Sequence, residues 1–165
     1  VSNWTTQRIE EANKFAEENG MEPIRISQIN YSLAHSSVET FGDNTLVCMD
    51  TKEFRWYKKH DFPVMAFSPQ AKGFFAKLAK GDAANNLPEG QYAGPANLAR
   101  LAKVKQLSEQ TGDTPAKITL GYLNSQPFFV SSVFAVTKLW QLDEDMEAQD
   151  LTYDPKTVAF LENMI

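Results

Sequence analysis

One short apolar run sets the strongest limit on how this chain can fold. Val64-Met65-Ala66-Phe67 lies between Pro63 and Ser68-Pro69, and no residue within it is polar. Such a run is typical of a strand that is buried on both faces, as in a parallel sheet covered by helices. Because parallel strands are joined by long crossovers, the segments on either side are expected to contain helices.

Helical periodicity is present on both sides of this run. Thr5 and Thr6 are suitable N-caps for a helix over about 6–19, which Gly20 ends. Further helices are predicted over 53–59, from Leu98 to Gly112, from Thr114-Pro115 to before Pro127, over 139–148 and from Asp154-Pro155. With β-prone runs at 24–31 and 128–136, strands alternate with helices. This order predicts a parallel α/β sheet, either doubly wound or part of a closed barrel.

Composition narrows the functional classes. The 165 residues are 42% hydrophobic, enough for a single domain over 1–165 with its own core. A net charge of −5 argues against nucleic-acid binding, and no apolar run reaches the ~20 residues that span a bilayer. The single cysteine, Cys48, favours a reducing, cytoplasmic setting. One cysteine and two distant histidines do not have the spacing of a metal site, so no metal is expected.

Polar residues follow each predicted strand, and one long loop is expected. Ser2-Asn3 lies at the chain start, and Gln28 interrupts the β-prone run at 24–31. Ser68 to Gln70 follow the apolar run at 64–67, and Thr137-Lys138 follow the run at 128–136. Ligands of parallel α/β proteins sit outside the carboxyl ends of the strands, although such residues can equally satisfy loop backbone. Residues 81–95, rich in Gly, Pro, Asn and Asp, predict a surface loop.

Taken in order, these segments resemble the aldo-keto reductase family. The resemblance is carried by Val1-Ser2-Asn3, Ser27 to Ser32, Pro63 to Pro69, Thr114 to Ile118, Ser125-Gln126-Pro127 and Gln141 to Asp145 before Asp150-Leu151. The match is to the portion from the end of the fifth strand to the C-terminus of a (β/α)8 TIM barrel. It implies a partial barrel, the C-terminal half of the family's fold, and therefore a fragment.

The resemblance also implies a site for NADP(H) or NAD(H). Ser2, Asn3 and Gln28 match residues that hydrogen-bond the nicotinamide carboxamide. Phe67 matches an aromatic residue that stacks on the nicotinamide ring, where Tyr is commoner. The remaining implied cofactor contacts, along the pyrophosphate and at the adenine end, are Ser68, Gln70, Thr137, Lys138, Gln141 and Asp145.

Several of these positions differ from the usual family pattern. Gln70 stands where Leu is usual, Asp145 replaces an Asn, and Gln141 occupies a position that holds Arg or Gln. Lys138 is the only cation that the sequence places near the adenine end, among several carboxylates. A dianionic 2′-phosphate would be poorly compensated there, so the choice between NADPH and NADH stays open.

The family's catalytic Asp, Tyr, Lys and His come from earlier strands, and no residue here matches them. Tyr31, His35 and His60 are not expected to substitute. The leading interpretation is a fragment of an oxidoreductase that reduces aldehydes or ketones, partnered by the missing N-terminal half or by a second copy. The alternatives are a non-catalytic truncated barrel that serves as a binding or assembly module, and an unrelated α/β protein whose motifs match by chance.

Overall fold

Three short parallel strands form the centre of the structure, a computed structural model that describes residues 1–81 and 92–162. The strands lie in the order β1 (Ser27–Asn30), β2 (Val64–Phe67) and β3 (Val130–Val133). Both neighbouring pairs are parallel and in regular register. The predicted α/β class, with strands that alternate with helices, is therefore confirmed.

Two single bridges extend the sheet on the far side of β1. Ser2 pairs in parallel with Gln28, and Cys48 pairs in parallel with Asn30. The Asn3 amide donates to the Gln28 carbonyl at 2.8 Å, and the Gln28 amide donates to the Val1 carbonyl at 2.9 Å. The start of the chain therefore runs beside β1 like the end of a further strand.

Helices flank the strands along the described chain. They are α1 (Thr6–Glu18), α2 (Val38–Phe41), α3 (Thr51–His60), α4 (Phe74–Ala79), α5 (Pro95–Thr111), α6 (Pro115–Asn124), α7 (Leu139–Glu147) and α8 (Pro155–Leu161), with a 3-10 turn over Ala71–Gly73. The short helices α2 and α4 were not predicted, because so few residues give little periodicity. The β-prone runs were predicted too long, since only four residues of each form a strand. Most of the loop predicted at 81–95 lies outside the described residues.

Local side-chain chemistry explains where the main helices begin and end. The Thr5 hydroxyl accepts from the Arg8 amide at 3.3 Å, and the Asp50 carboxylate accepts from the Glu53 amide at 2.8 Å. Each bond satisfies an amide that the first helical turn leaves unpaired. At the C-terminal end of α5, Gly112 adopts a φ of 80°, a conformation that favours glycine and stops the helix.

The two faces of the sheet have different environments. Ile29, Val64 and Ala66 are completely buried, whereas Gln28 and Phe67 are only half-buried. Because successive strand residues point to opposite faces, one face packs against helices and the other is partly open. We call the second the open face; its described members include Gln28, Met65, Phe67 and Val133.

Candidate functional site

The residues predicted at the strand ends share one face of the sheet. Ser2 lies beside Gln28, and Asn30, two residues further along β1, lies beside Phe67. Positions two apart on a strand point the same way, so Ser2, Gln28 and Phe67 all belong to the open face. The structure thus brings these three predicted site residues together, as their order along the chain suggested.

Asn3 links the strand-end residues to the segment beyond β1. Its φ is 55°, a left-handed conformation that Asn tolerates better than most residues. Its Oδ1 accepts from the Val47 amide at 3.1 Å, and its Nδ2 donates to the Ser2 hydroxyl at 3.3 Å. Both polar atoms of the Asn3 side chain therefore have partners within the protein.

The turn after β2 holds a series of left-handed residues. Ser68, Ala71, Lys72 and Gly73 have φ values of 51°, 50°, 54° and 79°. A non-glycine residue in this region costs about 1 to 3 kcal/mol and is typical of functional sites. The turn is closed by hydrogen bonds from the Ala71 amide to the Ser68 carbonyl and from the Gly73 amide to the Gln70 carbonyl, both 2.9 Å.

Two adjoining cavities extend from this turn, and we call them together the strand-end groove. The first, about 550 Å³, includes Ser68, Gln70, Lys72, Lys77, Thr137 and Gln141 in its lining. The second, about 290 Å³, includes Gln70, Lys77, Lys80, Trp140, Gln141 and Asp145. Gln70, Lys77 and Gln141 line both, so the two cavities adjoin between the end of β2 and α7.

A hydrogen bond joins the turn to α7 within this groove. Gln70 Nε2 donates to Asp145 Oδ1 at 2.6 Å. Asp145 is buried, and burial raises the pKa of its carboxyl group, an effect that the Gln70 bond partly offsets. These are two of the positions at which the sequence departs from the family pattern, and the structure shows that the two departures form one pair.

The side-chain oxygen of Gln141 has a structural role at the start of α7. It accepts from the backbone amides of Thr137 and Lys138, both at 3.0 Å, and from the Thr137 hydroxyl at 3.2 Å. Thr137 and Gln141 line the groove. Lys138 is exposed and is not among the described residues that line either cavity.

Three lysines of the groove were missed by the sequence reasoning. Lys72, Lys77 and Lys80 belong to the turn after β2 and to the region of α4. The Lys77 ammonium donates to the Lys72 carbonyl at 3.0 Å, and that of Lys80 lies 5.2 Å from the Trp140 ring. The prediction that Lys138 is the only cation near the adenine end was wrong, because Lys77 and Lys80 line the same cavity as Gln141 and Asp145, the positions matched to that end. The sequence feature that could have indicated these three lysines is their position just after a strand-end turn.

Tyr31, excluded as a substitute catalyst on sequence grounds, lies in the aromatic core. Its ring stacks on Phe128 at 6.4 Å and meets Tyr122 edge-on at 6.4 Å. Burial raises the pKa of the Tyr31 hydroxyl above its ordinary range. A general acid for carbonyl reduction needs the opposite shift, so this environment suits packing and not proton transfer.

Within residues 1–81 and 92–162, no group of three or more His, Cys, Asp and Glu side chains is arranged to hold a metal ion. Over the same residues, the helices are all too short or too polar to cross a membrane.

A parallel sheet with a strained turn and a lysine-lined groove at its carboxyl edge is typical of α/β proteins that bind ligands at strand ends. The family model for the aldo/keto reductase family matches residues 1–165. The chain belongs to this family, which confirms the resemblance seen in the sequence. The family implies a TIM barrel and nicotinamide cofactors, and the three parallel strands with their helices are consistent with part of such a barrel.

Proposed function

We propose that this chain is the cofactor-binding half of an NAD(P)H-dependent oxidoreductase that reduces aldehydes or ketones. The observation that carries the proposal is the link between the open face and the groove. Ser2, Gln28 and Phe67 share the open face with Val133, which pairs with Phe67 and lines the first cavity of the groove. The second cavity reaches Asp145. A dinucleotide is a long ligand, and it suits a groove with hydroxyl groups of Ser68 and Thr137 in one cavity and charged groups such as Lys80 and Asp145 in the other.

The residues present fit the chemistry of a nicotinamide dinucleotide. Ser2, Asn3 and Gln28 offer hydroxyl and amide groups to a carboxamide, and the Phe67 ring offers a flat face. The turn over 68–73 combines left-handed residues with nearby lysines, which suits a diphosphate. When bound, the cofactor supplies the hydride, and the residues of this chain bind and orient it.

The adenine end has mixed charge. Lys77 and Lys80 line the second cavity of the strand-end groove together with Glu144 and Asp145. The two cations attract a 2′-phosphate while the two carboxylates repel it, so the affinities for NADPH and NADH are expected to differ little. Asp145 can offer a carboxylate oxygen to the adenine amino group, in competition with the Gln70 side chain.

No residue of this chain is proposed as catalytic. We assign proton donation to the missing N-terminal half of the barrel, whose strands would lie beside β3. Among the described residues, β3 pairs with β2 alone and has no strand on its other side. A cytoplasmic location, favoured by the single Cys48, belongs to the same proposal.

Cofactor titration tests the proposal directly. NADPH and NADH are added to the chain while nicotinamide fluorescence is followed, and a saturable rise is expected with at least one of them. Phe67→Ala is expected to weaken binding about tenfold through the lost ring contact. Phe15→Ala is the matched control, because Phe15 is 58% exposed on α1 and lies outside the groove. Absence of saturation with either cofactor, even with the missing half supplied, would contradict the proposal.

A second candidate function is a non-catalytic assembly module. The observation that favours it is the combination of a partly open sheet face, which includes the apolar Met65, Phe67 and Val133, with an unpaired strand edge among the described residues. Under this alternative the chain forms a stable complex with another strand-bearing partner, but that complex does not change nicotinamide fluorescence. The same titration therefore separates the two functions.

A further inference from the structure

A second cavity lies between α1 and α3, and none of its residues lines the strand-end groove. Its volume is about 690 Å³, within the range of small-molecule sites. The lining residues that matter here are Glu10, Asn13, Glu17, Trp56, His60 and Phe62. Nothing in the proposed cofactor function uses them, so the cavity needs its own explanation.

Aromatic rings form one wall of this cavity. The Trp56 ring centroid lies 5.2 Å from that of Phe62 and 4.4 Å from that of His60, and both pairs are tilted. Trp56 and Phe62 are half-buried, so part of each ring remains accessible. Tilted rings around a shared space present several π-faces to a ligand, and the Trp face attracts cations most strongly.

Carboxylates from α1 form the other wall. Glu10 Oε1 accepts from Trp56 Nε1 at 2.6 Å and lies 4.0 Å from His60 Nε2. Glu17 is seven residues further along the same helix and therefore lies on the same face. Lys14 also lines the cavity, but its ammonium lies 3.8 Å from Glu18. The lining therefore has net negative charge.

The cavity is held in shape by hydrogen bonds. Asn13 Oδ1 accepts from the Ile24 amide at 2.7 Å, and Asn13 Nδ2 donates to the Ile24 carbonyl at 3.2 Å. This pair of bonds ties the segment that carries Met21 and Pro23 against α1. The Trp56–Glu10 bond ties α3 to α1 from the other side. A preformed cavity of this kind loses little conformational entropy when a ligand binds.

We propose that this cavity binds a small organic cation of the alkylated ammonium class. The aromatic wall attracts the charge and the alkyl groups, and Glu10 and Glu17 neutralise the charge. A divalent metal ion would need several oxygen ligands, and the rings supply none. A neutral apolar ligand would desolvate the carboxylates without compensating them.

NMR of the Trp56 indole group tests this inference on the full chain. The Trp56 indole N–H is bonded to Glu10 at the wall of the cavity, so a ligand that contacts the ring or the carboxylate should shift its signal. Choline is expected to give a saturable shift of the Trp56 signal and to leave the Trp4 and Trp140 signals unchanged. Dimethylbutanol, which replaces the ammonium nitrogen of choline by carbon, is expected to bind at least about tenfold more weakly.

Matched variants test the role of the carboxylate. Glu10→Gln keeps an oxygen that can accept from Trp56 and removes the charge, and it should weaken choline binding about fivefold. Glu109→Gln removes an exposed carboxylate from α5 and should leave the affinity unchanged. Trp56→Phe assigns the indole signal. The inference is overturned if choline gives no saturable shift, if the two probes bind equally, or if Glu10→Gln binds choline like the unmodified chain. None of these outcomes depends on NAD(P)H binding.

Discussion

Tyr57 is fully buried in the core, and this burial, partly offset by the Ser27 hydroxyl, raises its pKa to about 12. A tyrosine in the unfolded chain ionises near pH 10, so above that pH the unfolded state loses its proton first. The contribution of Tyr57 to the free energy of unfolding is fully present below pH 10 and should therefore be lost as the pH rises towards 12. At about 1.4 kcal/mol per pKa unit, Tyr57 alone accounts for a loss of roughly 2 to 3 kcal/mol.

The measurement is the free energy of unfolding by urea at several pH values from 8 to about 12. Tyr57→Phe should make the alkaline fall shallower, because the phenyl ring has no proton to lose. Tyr153, whose pKa burial also raises to about 12, keeps its own contribution in that variant. If the free energy of unfolding of Tyr57→Phe falls with pH as steeply as that of the unmodified chain, Tyr57 does not contribute.

Gly121 makes a close contact that no side chain can share. A Cβ added there would lie 2.9 Å from both Leu151 Cγ and Tyr153 Cε2. Gly121→Ala should therefore destabilise the fold by about 1 to 3 kcal/mol through overpacking, despite the better helix propensity of Ala. Gly94→Ala is the control, because a Cβ at Gly94 meets nothing within 4 Å. Equal urea midpoints for the two variants would refute the predicted clash.

At the scale of elements, one buried side chain connects α5 to the loop after β1. Asn97 Oδ1 accepts from the His35 amide at 2.7 Å, and its Nδ2 donates to the carbonyls of His35 and Tyr92 at 2.8 and 2.9 Å. Asn97 is 3% exposed, so water cannot replace these bonds without a rearrangement. The pairing spans 62 residues of sequence and fixes where α5 begins relative to β1.

Asn97→Ala should lower the free energy of unfolding by about 2 to 4 kcal/mol, because it leaves three backbone groups without this partner. Asn19→Ala is the matched control, since the exposed side-chain amide of Asn19 donates a single hydrogen bond, to the Phe15 carbonyl. That variant should change stability by no more than about 0.5 kcal/mol. Urea unfolding followed by circular dichroism measures both. A loss at Asn97 no larger than at Asn19 would mean that the loop has other anchors.

At the scale of the whole molecule, the open face and the outer edge of β3 are the sites at which association is expected. Val133 ends β3 and is 38% exposed on that face. Unpaired strand edges and exposed apolar surface favour pairing with another chain. We therefore expect the isolated chain to associate and to elute with a mass above its own 18.6 kDa.

Size-exclusion chromatography with light scattering measures this mass. Val133→Lys should shift the population towards the monomer, because a charge on an edge strand opposes pairing. Phe15→Lys changes an exposed apolar residue on α1 instead and should leave the mass unchanged. A stable monomer at every concentration for the unmodified chain would contradict the expectation.

Much of the fold could be predicted because its signals are local. The Thr5 cap and the buried Ile9 and Ala16 mark α1, and the apolar run of β2 has four residues that need no distant partner to be recognised. The convergence of Ser2, Gln28 and Phe67 followed from one general property, that parallel strands end at the same edge. Family membership followed from the order of these segments along the chain.

The rest depended on how separate elements pack. The Gln70–Asp145 bond joins residues 75 positions apart, and the Trp56–Glu10 bond joins residues 46 positions apart. Short helix α4 brings Lys77 into the groove, although its six residues have no helical signal of their own. The sequence by itself determined the longer elements, their order and the family, since propensity and pattern act over a few residues. Only the tertiary structure decided which charged and polar side chains face each other, because those contacts depend on distances across the folded chain.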